Sequence, residues 1–390
     1  MDNPLRIVFM GTPHFALGVL QTLVARHYPI VGVVSAPDKP AGRGLMLQST
    51  PVSEYARTQN IPLAQPPLLK DPAFLSLLQS WNPDIMVVVA FRMLPQEVWT
   101  LPRSGTFNLH ASLLPQYRGA APINHALIRG ETVTGVTTFL IDHQIDTGNI
   151  LFQESLAIAP DDTAGTLHDR LMVLGAELVC RTLDALSSGA IHPLPQPQIS
   201  PLFGAPKLNK EMCRIQWDSD PHTLSNLIRG LSPHPAAFAL LQNNNAVSST
   251  SPSSVPPSSV SPSSVSSLSS IPLSSISPSS VLPSSVSPLS VPPSSLSPSS
   301  VSPLSVPPSS ISPVSPPSVP FPVKIFSATP ITAPHPHPPG SIVSDHKTYL
   351  HVACRGGWLS ITDLQVAGKK RMSVKDFLAG FRNLSTLRFT

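Results

Sequence analysis

Three side chains in this 390-residue chain have the types and the spacing to handle charge and protons at one place. Two lie in "FNLHASLLPQYRGAAPI", Phe107 to Ile123, where Asn108 and His110 break an apolar run two residues apart. In a strand successive side chains alternate faces, so Asn108 and His110 point one way and Phe107 and Leu109 the other. Asn offers a neutral N–H donor, and His can donate, accept or change charge near neutral pH. Side by side they can hold a carbonyl oxygen as it becomes an oxyanion. They can equally do no more than satisfy backbone groups at a strand end. An attacking group also needs somewhere to leave its proton, and the loop "IDHQIDTGN" supplies Asp142 and Asp146. Asp-Thr-Gly is also a mark of aspartic proteases, but that chemistry pairs two such aspartates, and here the triplet occurs once.

These groups need elements to place them. The runs 5–10 "LRIVFM", 30–34 "IVGVV" and 84–90 "DIMVVVA" are apolar without alternation, and residues 106–110 are predicted as the following strand. Strands buried on both faces, alternating with helices, define a parallel sheet in an α/β fold. Thr12-Pro13, Thr50-Pro51 and Asp71-Pro72 each have the form of an N-cap followed by a first-turn proline. Phe15, Val19 and Leu23 continue the first of these at helical spacing. In such sheets ligands bind at the carboxyl ends of strands, which is where Asn108 and His110 fall. Pro122 to Arg129 is predicted as a short helix closed by Gly130. "GVTTFLID" and "NILFQESLAI" are predicted as two strands joined by loop 143–148, and Leu167, Leu171, Leu174 and Leu178 stripe a long helix ending at Gly189. A left-handed backbone at Gln144 in that loop would be strained. "GTPHF" lacks the further glycines of a dinucleotide fingerprint and argues against bound NAD. "PAGRGL" sets Arg43 in a glycine-flanked loop, a feature that a solvated surface charge would also give.

From about Gln242 to Pro320 the chain is almost wholly Ser, Pro, Val, Leu and Ile, and the 13-mer "PSSVSPLSVPPSS" occurs at 283–295 and again at 298–310. Recurrent proline removes helix and ladder donors, and the apolar residues are too sparse to build a core, so the expectation is a disordered or polyproline-like tract. The remainder is ample for two cores. Pro193 to Pro206 reads as a linker, followed by a helix at Thr223–Arg229 and strand-like pieces "AFALLQ", "PVKIF", "YLHVAC" and "WLSIT". The tract lies between "AFALLQ" and "PVKIF", which look like hairpin partners, so it is expected to be an overgrown hairpin loop. Residues 324–390 carry nine Lys or Arg against three Asp, while everything before them is 16 basic against 18 acidic. A near-neutral body with a basic end suits a polyanion partner such as nucleic acid, though a solvated basic surface gives the same count. Cys180, Cys213 and Cys354 have no paired metal spacing and are expected to be reduced and structural. "MDNP" passes directly into a strand-like run, with no sign of a targeting segment, and no apolar run approaches a membrane span. The expectation is a cytoplasmic protein.

Taken together, "FNLHASLLPQYRGAAPI" and a "DTG" about thirty residues later resemble the folate-dependent formyltransferase family, which shares an Asn, a His in "HxSLLP" and an Asp. "RIVFMGTPHFA", "PDKPAGRG", "DTGNIL", "TAGTLHDRL", "KLNKEMCRIQW" and "LQVAGKKRMSVKDFL" extend the resemblance over nearly all of the chain except the Ser/Pro tract. It implies a Rossmann-like α/β formyltransferase domain at 1–192 and a linker at 193–206. A small C-terminal OB-like β-barrel domain would span 207–390, interrupted by the insertion 242–320. It implies that 10-formyltetrahydrofolate, without a metal, donates a formyl group to methionine on initiator tRNA, and that the enzyme acts as a monomer. Asn108, His110 and Asp146 would be catalytic. Ser112, Leu113, Leu114 and Pro115 would line the folate site. Arg43, Lys369, Lys370 and Arg371 would bind tRNA. The alternatives are a relative that hydrolyses the formyl group or passes it to a sugar amine or purine precursor, and a non-catalytic folate- or tRNA-binding relative.

Overall fold

A computed structural model describes residues 5–41, 46–243, 319–381 and 384–390. Arg43 and the Ser/Pro tract from 244 to 318 lie outside the described residues. In chain order the first part comprises β1 (Ile7–Gly11), α1 (His14–Ala25), β2 (Ile30–Val34), β3 (Lys39–Ala41), β4 (Met46–Gln48), α2 (Pro51–Thr58), β5 (Leu63–Ala64), α3 (Pro72–Ser80) and β6 (Ile85–Val89). It continues through α4 (Gln96–Trp99), β7 (Thr106–His110), β8 (Arg118–Gly119), α5 (Pro122–Arg129), β9 (Val133–Leu140), β10 (Ile150–Ala157), α6 (Ala164–Ser187) and β11 (Gly204–Ala205).

The main sheet has the order β10-β9-β7-β6-β1-β2-β5. β5, β2, β1, β6 and β7 run parallel, and β9 and β10 extend the edge antiparallel. The parallel strands are buried on both faces, as their unbroken apolar runs require. Ile7 and Phe9 of β1 face the core shared with α1, α2, α5 and α6, while Val8 and Met10 face that of α3 and α4. Phe107 and Leu109 of β7 belong to the first core, and each such buried side chain stabilises by about 1.5–3 kcal/mol. The same alternation turns Asn108 and His110 to the opposite face, at the carboxyl end of β7.

Thr50 and Asp71 cap α2 and α3 as their sequences predict, accepting from the backbone N–H of Ser53 and Ala73. Thr12 does not cap α1: the N-cap position falls on Pro13, with no side-chain cap bond. Pro13 is thus the residue before the first turn, one place earlier than expected. α6 opens on a reciprocal Thr163–Thr166 capping box, and α5 ends on Gly130 with φ 80°.

The second part comprises α7 (Pro221–Leu231), β12 (Ala237–Asn243), β13 (Phe321–Ile331), β14 (Ile342–Ser344), β15 (Leu350–Cys354), β16 (Gly357–Val366), β17 (Met372–Ser373), α8 (Val374–Gly380) and β18 (Leu387–Phe389). Its strands follow the order β14-β15-β16-β13-β12-β18. A Ser341–Arg388 bridge and the bond from the Phe389 N–H to the Gly340 carbonyl (2.9 Å) nearly close the sheet into a barrel. β12 and β13 pair antiparallel, with Leu241 opposite Phe321, so the two strands that flank the tract are partners in one hairpin. Lys369 and Lys370 are exposed on the turn between β16 and β17. Arg371 instead donates to the Asp363 carboxylate and lies over the Phe326 ring.

Residues 193–206 do not hang free. The Ile150 N–H donates to the Leu194 carbonyl (2.7 Å) and the bond is returned at 2.9 Å, while β11 pairs with β8. The Tyr117 N–H donates to the Phe203 carbonyl at 2.7 Å, and the Phe203 N–H donates to Gln116 Oε1, also at 2.7 Å. The segment is a strap tied to β10, to β8 and to the loop that follows β7.

Candidate functional site

A cavity of about 700 Å³ opens at the carboxyl ends of β6 and β7. Its walls include Phe91, Leu94, Phe139, Ile141 and Ile145, with Asn108, His110, Asp142, Asp146 and His168 among its polar groups. A concave, mainly apolar site with a few convergent polar groups is the usual form of a small-molecule pocket.

Asn108 is half-buried between Val88 of β6 and Phe139 of β9. Among the described residues nothing hydrogen-bonds its side-chain amide, so the amide stays available to the cavity. His110 is 6% exposed, and its Nε2 lies 2.9 Å from the Tyr117 carbonyl. A carbonyl only accepts, so Nε2 carries the proton. In the neutral ring Nδ1 is then a lone pair, and it faces Asp146 Oδ2 at 3.7 Å. A proton taken up at Nδ1 would therefore sit beside a carboxylate. The ring has no N–H left over for an oxyanion, which makes Asn108, rather than the pair, the donor facing the cavity.

Asp146 sits in the left-handed region, with φ 56°, which Asp tolerates better than most residues. Gln144, which a left-handed backbone would have strained, is not left-handed; its N–H is held by Asp142 Oδ1 at 2.9 Å in an Asx-type turn. Asp146 Oδ2 accepts from the Gly119 N–H at 2.8 Å. Gly148 completes the turn, and a Cβ there would lie 1.7 Å from the Leu140 carbonyl oxygen, so the Gly of "DTG" is required by close approach.

Ser112, Leu113, Leu114 and Pro115 are not brought to the cavity wall. Ser112 is fully buried, and its carbonyl accepts from Thr137 Oγ1 at 2.6 Å. The Leu114 N–H donates back to that hydroxyl at 3.1 Å, and the Leu114 carbonyl accepts from Gln153 Nε2 at 2.7 Å. Lining falls instead to Ala90–Leu94 and to Ile141, Asp142, Gln144 and Ile145. Arg92 anchors the first of these stretches by donating to the carbonyls of Pro66 and Pro67. Burial without a carboxylate partner lowers its guanidinium pKa.

Tyr117, whose carbonyl orients His110, has φ 59° and donates its hydroxyl to Glu131. Burial and that bond push the phenol above its ordinary pKa, so it stays protonated at any working pH. Neither Tyr117 nor the strap carries a signal in the sequence: Tyr117 acts through a left-handed backbone that no propensity predicts, and the strap returns from about eighty residues away.

This fold and site belong to a group-transfer enzyme. Residues 5–183 match the family model "Formyl transferase", and 207–265 with 319–382 match "Formyl transferase, C-terminal domain". The chain belongs to the formyl transferase family, whose members are folate-dependent. It is 41% identical to the methionyl-tRNA formyltransferase of Bacteroides thetaiotaomicron over 381 residues, 97% of this chain and 96% of that one. The methionyl-tRNA formyltransferase of Flavobacterium psychrophilum is 51% identical over 235 residues, 60% of this chain and 74% of that one. Among solved structures, the sugar 3N-formyl transferase WlaRD, crystallised with dTDP and 5-N-formyl-THF, shares 16% identity at a TM-score of 0.53 and covers 94% of this chain and 100% of its own. HypX from Aquifex aeolicus, in complex with tetrahydrofolic acid, shares 15% at 0.54. This chain spans about half of it: the match covers 98% of this chain and 48% of HypX. At these identities the likeness is one of fold. Among the described residues no helix is long and apolar enough to cross a membrane.

Proposed function

We propose that this protein transfers the formyl group of 10-formyltetrahydrofolate to the α-amine of methionine on initiator tRNA, giving N-formylmethionyl-tRNA for translation initiation. The observation that carries this reading is the convergence of Asn108, His110 and Asp146 on one cavity, in a chain about 40% identical over nearly its whole length to methionyl-tRNA formyltransferases. The folate enters the cavity against Phe91–Leu94 and Ile141–Asp142. Ser112 to Pro115 lie outside the cavity lining and are tied to β9 and β10 through Thr137 and Gln153. The neutral amine attacks the formyl carbon, the new C–N bond forms, and the formyl oxygen becomes an oxyanion that accepts from the Asn108 amide. The amine's proton passes to the His110–Asp146 pair. It returns to the folate nitrogen as the old C–N bond breaks, leaving tetrahydrofolate. Lys369 and Lys370 contact tRNA phosphates, Arg371 shapes their turn through Asp363, and Arg43, which lies outside the described residues, is a further tRNA contact. The domains divide as 1–192, 193–206 and 207–390, and the insertion in the last, set at 242–320 from the sequence, begins after Asn243 because Gln242 and Asn243 belong to β12.

The test is direct. Purified protein, methionyl initiator tRNA and 10-formyltetrahydrofolate should yield formylmethionyl-tRNA, and Asn108→Ala should lower kcat by about 10²–10³, the usual loss for one oxyanion donor. Absence of product from the unmutated protein, with both substrates verified, overturns the reading.

A further inference from the structure

The strap holds one side chain that touches both halves of the Asp146 support. Gln196 Nε2 donates to the Asp146 carbonyl at 2.8 Å and to the Gly148 carbonyl at 2.9 Å. Its Oε1 accepts from Arg118 Nε at 3.1 Å and from an Arg118 terminal nitrogen at 2.6 Å. The orientation of this amide is fixed by its partners, since carbonyls only accept and a guanidinium only donates. Arg118 precedes Gly119, whose N–H holds Asp146 Oδ2 at 2.8 Å. The contacts therefore close a ring: Gln196 to the Asp146 backbone, the Asp146 carboxylate to Gly119, and Arg118 back to Gln196. Two residues before Gln196, Leu194 is anchored to Ile150 by the reciprocal pair of backbone bonds. The amide is thus delivered by a fixed piece of backbone and saturates all of its donors and its acceptor.

We propose that Gln196 is a positioning residue of the transfer reaction: it holds the left-handed Asp146 turn so that the carboxylate faces His110 Nδ1. This rests on the function proposed above. Asp146 has two degrees of freedom that would spoil the pairing, rotation of its carboxylate and relaxation of its left-handed backbone. Gly119 restrains the first, and Gln196 restrains the second while fixing Gly119 through Arg118. Misplacing a catalytic group by about 1 Å can cost on the order of 10²-fold in rate, so a side chain that never touches substrate can still set kcat.

Two variants separate the contacts. Gln196→Met keeps the length and removes every hydrogen bond. Gln196→Glu keeps the Arg118 partner but sets an acceptor against two carbonyls. Each is expected to lower kcat for formylmethionyl-tRNA formation by about 10- to 100-fold, with both KM values within about threefold. Made in an Asp146→Asn background, Gln196→Met should add less than about threefold, because residues acting as a unit are non-additive. Amide hydrogen exchange at Gly119 reads the same ring without any turnover, and Gln196→Met should speed it at least tenfold. A kcat within threefold of the unmutated protein for both variants, losses that multiply in the double variant, or unchanged Gly119 exchange overturns the inference. Should the unmutated protein form no formylmethionyl-tRNA, the proposed function fails, and Gly119 exchange alone still decides for or against the ring.

Discussion

Gly119 donates to the Asp146 carboxylate, and only glycine can do so from that position. Its φ is 122°, and a Cβ there would lie 2.5 Å from the Ala205 carbonyl oxygen, a backbone atom that cannot step aside unless β8 parts from β11. Gly119→Ala should therefore lower kcat by about 10²-fold and reduce the thermal midpoint by several degrees, measured by steady-state formylation and calorimetry. A variant with ordinary kcat would mean that Asp146 does not depend on this donor. Alternation along a strand is a local rule, so the sequence already set Asn108 and His110 on one face, whereas its loop offered Asp142 and Asp146 alike and only the family resemblance singled out Asp146. The split of labour between Asn108 and His110 was not. It depends on the Tyr117 carbonyl, which consumes the Nε2 proton, and on a left-handed Tyr117 that no propensity predicts.

The loop Ser112–Pro115 shows how elements, rather than single residues, hold the site. Thr137 of β9 donates to the Ser112 carbonyl and accepts from both the Leu114 N–H and Gln153 Nε2, so its hydroxyl uses its one donor and both acceptor positions. Thr137→Val preserves shape and leaves those partners unsatisfied in a buried place, a loss of about 1–3 kcal/mol. Urea unfolding should show that loss with an unchanged slope, and the KM for the folate should rise more than the KM for tRNA. Equal changes in both would argue that the loop does not shape the folate wall. The parallel strands and the capped α2 and α3 were readable from apolar runs and Thr-Pro or Asp-Pro pairs. The docking of β9 and β10 antiparallel beside β7 was not, because each strand's sequence states its burial but not its neighbour. The same holds for the strap: its prolines suggest a linker, and only the returning bonds to Ile150, Gln116 and Tyr117 show that it supports the site.

At the scale of the whole molecule, charge and chain length make separate predictions. Lys369 and Lys370 form no ion pair among the described residues, whereas Arg371 is committed to Asp363. Replacing both lysines by alanine should raise the KM for methionyl-tRNA several-fold at low salt. It should also flatten the dependence of log affinity on log salt by roughly 0.7–0.9 for each phosphate that is no longer neutralised, leaving the KM for the folate unchanged. An unaltered salt slope would remove these lysines from the tRNA surface. The basic excess of residues 324–390 was visible in composition, but which cations are already paired needed the fold. Chain length bears on the tract from 244 to 318. Its flanks, β12 and β13, are registered with Leu241 opposite Phe321, so the hairpin is specified by its own strand pairs and by the barrel core that buries Ala239, Leu241, Val323 and Ile325. Closing so long a loop instead of a turn of about four residues costs about 2.5–3 kcal/mol by logarithmic scaling. Replacing 244–318 with a short Asn-Gly turn should therefore leave kcat and both KM values within a few-fold and raise stability by up to that amount in urea unfolding. A folded, shortened protein without activity would show instead that the tract takes part in the reaction.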